Sequence, residues 1–262
     1  MKIEYRKLVS PEDFSQCIDL QRSLFGLSDI DIVSPLFLQL IARENPPMGI
    51  LLGAFNTDEE EEELIGFAVS MATFQRDSMY LTMIGVIPQY RNQGIGINIL
   101  LKLREAALHI KIAYICWVFE PLERKLAHFY VNNLGAFGVH YHEEIYYQQK
   151  TYEDDHIPMD KILFKWDLKS YSSYNRNHSK ELLSSYPIAS KNNKPDSPSV
   201  LVEIPTDFNH LKKEDVTSAK YWRQCTKEIF IYYINHRNYT IYDCITLEEN
   251  LNKRSFYLLK AQ

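Results

Sequence analysis

The strongest constraint on how this chain folds lies in residues 80 to 107, where an apolar strand runs into a glycine-bearing turn and then a helix. The strand, Tyr80-Leu81-Thr82-Met83-Ile84-Gly85-Val86, is rich in apolar and β-branched residues, and Ile97 to Ala107 carries apolar residues at helical spacing. Between them, Ile87-Pro88-Gln89-Tyr90-Arg91-Asn92-Gln93-Gly94-Ile95-Gly96 contains an Arg-x-x-Gly-x-Gly pattern that puts both glycines where loop becomes first helical turn. Backbone N–H groups there have no intrahelical partner and the helix dipole is positive, so a phosphate can satisfy them. Glycine removes the Cβ that would hold such a group away from the backbone.

Two familiar phosphate loops are excluded by residue identity. A P-loop needs Lys-Ser/Thr after its last glycine, and the dinucleotide fingerprint needs a third glycine where this chain has Ile99. The remaining pattern, with Ile84-Gly85-Val86-Ile87-Pro88 before Tyr90-Arg91, resembles the acetyl-CoA-binding motif of the GNAT superfamily of N-acyltransferases. The resemblance continues through Ile112-Ala113-Tyr114-Ile115-Cys116-Trp117-Val118-Phe119, at the place of the GNAT strand that splays from its neighbour to admit pantetheine. Glu120-Pro121-Leu122-Glu123, Ala127-His128-Phe129 and Asn133-Leu134-Gly135-Ala136 are similar to one subfamily of predicted acyltransferases that carry a C-terminal extension. Pieces of that extension are recognisable in Ile157-Pro158-Met159-Asp160-Lys161, Phe164 to Leu168, Leu201 to Pro205 and Trp222-Arg223.

The resemblance implies an α/β fold of the α+β kind: a mixed, mostly antiparallel central sheet flanked by helices, with a C-terminal α+β extension. It also implies acetyl-CoA or another acyl-CoA as co-substrate, and no metal. Pantetheine is expected along the backbone of Met83, Ile84 and Val86, and the diphosphate on Arg91, Asn92, Gln93, Gly94, Ile95, Gly96 and Ile97. A plain surface cation is the alternative role for Arg91.

Element order agrees with this reading. Ile3 to Val9 alternates as a strand, and Ser10-Pro11-Glu12-Asp13 opens a helix with a cap, an early proline and acids. Pro35 to Glu44 reads as a second helix, ended by Asn45-Pro46-Pro47. Gly49 to Phe55 and Leu64 to Thr73 read as strands joined by the acid run Asp58 to Glu63, a solvated loop. The expected division is an acyltransferase domain over 1–150, a strand-containing connection over 151–169, a flexible linker over 170–199 rich in Ser, Asn, Lys and Tyr, and an α+β extension over 200–262. In that extension a strand at Val200 to Ile204 precedes a helix at Val216 to Asn235, where Trp222, Ile229, Tyr232 and Tyr233 can share one core-facing side; strands follow at Tyr239 to Thr246 and Ser255 to Leu259.

Composition narrows the partners. With a net charge of −5 and no long basic cluster, the electrostatic footprint of a nucleic-acid binder is missing. Cys17, Cys116, Cys225 and Cys244 are scattered without a Cys-x-x-Cys pair, which fits neither a zinc site nor a disulfide framework and suits a reducing cytoplasm. No membrane partner is expected: the start lacks an apolar core segment, and no run approaches the roughly 18 to 20 apolar residues of a membrane helix. The acceptor implied by the resemblance is a small-molecule amine or amino acid, and a homodimer is compatible with it.

Direct attack by a neutral amine on a thioester needs no covalent nucleophile; it needs binding, orientation and proton handling. Deprotonating a lysine-like amine at pH 7 costs roughly 4 to 5 kcal/mol, against about 1 to 1.5 for an α-amino group. In many GNATs a Tyr four residues before the Gly of the last helix protonates the leaving thiolate. Counting four back from Gly135 reaches Val131, with Tyr130 one position off, and Thr82 stands where the subfamily has a His. The candidates for proton transfer are therefore His128, with an unperturbed pKa near 6.5, Glu120, acting as base through water, and Tyr130. Each has a structural alternative, respectively a capping residue, a strand terminator and a packing residue. His140-x-His142 with Glu143 lacks a clear fourth metal ligand. A catalytically degenerate protein that binds CoA as a sensor or assembly module is the competing reading.

Overall fold

Ser10, Pro11 and Asp13 start the first helix as their types dictate. In the computed structural model, which describes residues 2–45, 48–58, 62–143, 157–170, 185–249 and 252–262, Ser10 Oγ accepts the Asp13 N–H at 3.1 Å and Asp13 Oδ2 accepts the Ser10 N–H at 3.1 Å. This reciprocal box opens α1 (Pro11–Phe25), and Gly26, at φ 62, closes it. Arg6 on β1 (Ile3–Lys7) adds two contacts of 3.0 Å to the Asp13 carboxylate. Ser34 caps α2 (Pro35–Ala42) by accepting the Phe37 N–H at 3.3 Å.

The chain divides into two compact units, residues 1–116 and 117–262. In the first, β1, β2 (Gly49–Asn56), β3 (Glu63–Ala72) and β4 (Ser78–Val86) pair antiparallel in that order, and β5 (Tyr114–Phe119), in which the division falls, pairs parallel to β4. The parallel crossover is α3 (Ile95–His109). β2 and β3 are buried along nearly their whole length because helices cover both faces. Phe14, Cys17, Ile18, Leu38 and Ile41 of α1 and α2 pack with Leu51, Phe55, Phe67 and Val69. On the other face Ile99 of α3 lies over Gly66, where a Cβ would come within 3.1 Å of its Cδ1.

In the second unit α4 (Arg124–His128) runs into a π-helical turn over Phe129–Asn133. The strands are β6 (Phe137–His142), β7 (Lys161–Asp167), β8 (Ile188–Ala189), β9 (Ser199–Ile204), β10 (Tyr239–Glu249) and β11 (Asn252–Ala261), in the spatial order β7-β6-β10-β11-β9-β8. All neighbours pair antiparallel except β8 with β9. Two helices precede β10: α5 (Phe208–Glu214), capped by Asp207, and α6 (Val216–Phe230), capped by Asp215 and extended by a second π-helical turn over Ile231–His236. The architecture is thus α+β with mostly antiparallel strands, as the sequence implies.

Differences from the sequence reading are local. Of the acid run, residues 59–61 lie outside the described residues, as do 171–184 of the stretch read as a linker; the remainder of that stretch, 185–199, includes β8 and a bridge between Ser190 and Asn193. The core-facing side of α6 carries Ala219, Arg223, Thr226, Ile229 and Phe230 rather than Trp222, which is only half-buried.

Burial pushes the Asp13 carboxyl up, but the Arg6 guanidinium and the Val9 and Ser10 N–H groups outweigh it and hold the acid below its ordinary value. Its stabilisation is therefore complete above the ordinary carboxylate pKa and is lost as pH falls through the lower folded-state value. Urea denaturation of Asp13→Asn should show a loss of about 1–2 kcal/mol at pH 7, and the gap from the parent protein should close as the pH is taken well below about 4.

Candidate functional site

The turn after β4 is built from short-range bonds. Pro88–Tyr90 forms a 3-10 turn in which the Tyr90 N–H donates to the Ile87 carbonyl at 2.9 Å and the Arg91 N–H to the Pro88 carbonyl at 3.2 Å. The Arg91 side chain folds back so that Nε donates to the Val86 carbonyl at 2.9 Å, and Gln93 Nε2 donates to the Gln89 carbonyl at 3.1 Å. Asn92 and Gly94 take left-handed conformations, at φ 61 and φ 80.

Gly94 is the N-cap of α3, and no side chain caps this end, whereas Ser10, Ser34, Asp207 and Asp215 cap α1, α2, α5 and α6. The first helical bond runs from the Asn98 N–H to the Gly94 carbonyl at 3.1 Å. Among the described residues the N–H groups of Gln93, Gly94, Ile95, Gly96 and Ile97 find no acceptor, and no acid occupies the first turn. Unmet donors and an uncompensated positive dipole end make an anion site, and a phosphate supplies both acceptors and charge.

The two glycines serve different ends. Gly94 needs its left-handed φ, while space is open around it: the nearest atom to an added Cβ is Asn98 Nδ2 at 3.9 Å. At Gly96 an added Cβ would meet only Val86 Cγ2, at 3.8 Å, an ordinary contact. The protein itself therefore has room for a side chain at residue 96, and the bare backbone there leaves that room to a ligand.

β4 offers an open edge beside this turn. Its parallel ladder with β5 covers Ser78–Tyr80 and ends at Tyr80 opposite Cys116. On the other side, the Ile87 N–H donates to the Ile65 carbonyl at 2.9 Å, which fixes the antiparallel alternation with β3. Gly85 and Met83 accordingly turn their backbone groups to β3, and Ile84 and Val86 turn theirs to the edge beyond the end of the β5 ladder. A register shift against Val69 and Ser70 leaves Thr82 as a bulge, and its hydroxyl donates to the Val69 carbonyl at 2.9 Å. Thr82 thus spends its only hydroxyl proton on the fold.

The proton-transfer candidates lie in the second unit. Tyr130, in the π-helical turn, is 6% exposed and packs at 4.9 Å from the Trp117 ring and 5.2 Å from Phe119. Burial pushes its phenol up to about 12. The turn closes with the Gly135 N–H donating to the Val131 carbonyl at 3.1 Å and the Ala136 N–H reaching back to the Tyr130 carbonyl at 3.0 Å. His128, the last residue of α4, is exposed. Glu120, just past β5, has both carboxylate oxygens engaged: Oε1 accepts the Leu122 N–H at 3.0 Å, and Oε2 accepts Arg223 Nη2 at 2.5 Å.

That last pair belongs to a buried polar cluster the sequence reading did not assemble. The Arg223 side chain is 3% exposed, its Nε lies 4.0 Å from Asp160 Oδ2, and its guanidinium carbon sits 5.0 Å from the centre of the Phe208 ring. Asp160, fully buried, accepts a hydrogen bond of 2.6 Å from the Tyr141 hydroxyl. Among the described residues, Arg223 Nε and Nη1 find no hydrogen-bond partner. A charged residue in the inward stripe of α6 was the available signal. His140 and His142 meet edge to face with ring centres 4.5 Å apart, and Glu143 pairs with Lys227; no group of three potential metal ligands occurs among the described residues.

Residues 15–136, which include β4, the uncapped turn and α3, match the model of the acetyltransferase (GNAT) family. The chain therefore contains a GNAT-family acetyltransferase domain. Solved structures of similar fold include Arabidopsis thaliana NAA60 in complex with acetyl-CoA, at 15% identity and a TM-score of 0.51 over 64% of this chain and 100% of that one. The ribosomal-protein-S18-alanine N-acetyltransferase of Escherichia coli matches at 15% identity and a TM-score of 0.50 over 68% and 100%. A GNAT-family acetyltransferase of Streptococcus pneumoniae matches at 17% and 0.50 over 63% and 98%. At these identities the likeness is one of fold. No curated protein matches the sequence. No helix among the described residues is long and apolar enough to cross a membrane.

The glycines separate in stability. Gly94→Ala should lose about 1 kcal/mol or more through its left-handed backbone, and Gly96→Ala should be neutral or gain up to about 1 kcal/mol from helix propensity, both read from urea denaturation without ligand.

Proposed function

We propose that this chain moves an acetyl group, or succinyl as an alternative donor group, from acyl-CoA to the amine of a small molecule such as an amino acid, by direct attack. The observation that carries the reading is the pair of vacant donor sets lying within the GNAT-matching segment: the uncapped start of α3 and the free edge of β4. The diphosphate would take the N–H groups of Gln93 to Ile97, and pantetheine would extend along Ile84 and Val86 as an added strand. Arg91, tied to Val86, would shape the turn and lend positive charge.

Tyr130 is the proposed acid for the leaving thiolate. It lies in the π-helical turn, one position before Val131, whose carbonyl accepts the Gly135 N–H at 3.1 Å. A phenol raised to about 12 stays protonated throughout the neutral range and can donate. Glu120 would take the proton of the incoming amine through water, and His128 is the second candidate for that role. We place the enzyme in the cytoplasm, in keeping with four free cysteines. The competing reading, a CoA-binding protein without turnover, is motivated by the tied hydroxyl of Thr82.

Thiol release from acetyl-CoA and succinyl-CoA with the common amino acids of both hands, spermidine and putrescine tests the activity. Turnover with any of these amines is expected; tight CoA binding with none would favour the competing reading, and no CoA binding would sink both. Calorimetric titration should show Gly96→Ala binding CoA about tenfold to a hundredfold more weakly despite its undiminished stability. Tyr130→Phe should lower kcat by about tenfold or more and leave CoA affinity unchanged.

A further inference from the structure

Arg223 is an expensive residue to bury. A guanidinium removed from water keeps its charge, and its desolvation is offset only by close, well-shaped partners. Here the offset is partial: one short bond goes to Glu120, Asp160 stands at 4.0 Å, and two nitrogens find no hydrogen-bond partner among the described residues. Apolar side chains of similar volume commonly serve a core as well or better than such a cluster. The arrangement is therefore poor economy as packing and sensible as a device for holding a carboxylate.

The held carboxylate is Glu120. Its side chain is 17% exposed, against 3% for Arg223 and 0% for Asp160, so it is the member of the cluster that reaches toward solvent. Two donors approach it from different elements, the Leu122 N–H from its own loop and Nη2 from α6. Together they fix the rotation of the carboxylate about its last bond, which a single donor leaves broad. Each oxygen keeps a lone pair for a further donor. Asp160, held by Tyr141, and the Phe208 ring in turn fix the guanidinium from behind.

We propose that Arg223 is a positioning residue for acyl transfer, orienting Glu120 toward the acceptor amine or its attendant water, and that the segment 200–262 thereby takes part in the reaction. This rests on the acyl-transfer reading above, with Glu120 as the group that meets the amine. Arg223 touches no reacting atom; it acts through Glu120 alone.

The test uses the full chain, acetyl-CoA and the fastest amine of the set named above. Arg223→Met should lower kcat by about tenfold to a hundredfold with the KM for acetyl-CoA within about twofold of the parent value. Added to Glu120→Gln it should cost nothing further, because the two act as one unit. Arg223→Lys, which keeps the charge and one donor, should restore part of kcat; it also carries the test if the Met variant does not fold, as judged by thermal unfolding and CoA binding. Turnover of both Arg223 variants within about twofold of the parent, or losses that multiply in the double variant, would overturn the positioning role. Failure of the parent protein to turn over any amine would instead remove the acyl-transfer reading itself.

Discussion

The hydrogen bond from the Ile87 N–H to the Ile65 carbonyl, 2.9 Å long, decides which backbone groups of β4 are spent and which are free. Strand pairing alternates by two, so one fixed bond commits Gly85 and Met83 to β3 and turns Ile84 and Val86 outward. Since the β5 ladder ends at Tyr80, the outward groups meet no strand there among the described residues, and of them the Val86 carbonyl is taken by Arg91 Nε at 2.9 Å. The same bond also fixes where the strand stops and the 3-10 turn begins, and hence where Gly94 delivers the chain into α3. The free edge and the vacant helix start follow from one register.

How much of this could be read beforehand depended on whether the cause was local. Ser10 and Asp13, Pro35 after Ser34, and Gly94 with Gly96 act through bonds or dihedral angles within a few residues, so their types alone placed α1, α2 and the turn. Arg223 and Glu120 are 103 residues apart, and nothing near either one announces the other. The π-helical turn escaped for a different reason. It spans Phe129–Asn133, a stretch with no Gly or Pro to mark a departure from 3.6 residues per turn. Thr82 was read only as an absent histidine, because its bond to Val69 depends on a bulge that alternation alone does not reveal.

The family match and the compact units do not share a boundary. The match runs to residue 136, but residues from 117 onward cluster with the C-terminal segment. The last part of the matched region, including Glu120 and Tyr130, is therefore packed by residues that the family pattern does not contain. Tyr257 donates to the Pro121 carbonyl at 2.7 Å, and Asn132 Nδ2 donates to Asp243 Oδ1 at 2.8 Å, so both the loop after β5 and the π-helical turn are buttressed from β10 and β11. Removing the C-terminal segment would strip these supports from a loop and a helix end that have few alternatives of their own.

β8 consists of Ile188 and Ala189 alone, and the bridge between Ser190 and Asn193 turns the chain back directly after it. In the order of the second unit it is the last strand. A two-residue terminal strand exposes too few backbone groups for a foreign strand to extend the ladder, which is how natural sheets avoid growing from chain to chain. Extension of the sheet from chain to chain past β8 is thereby disfavoured.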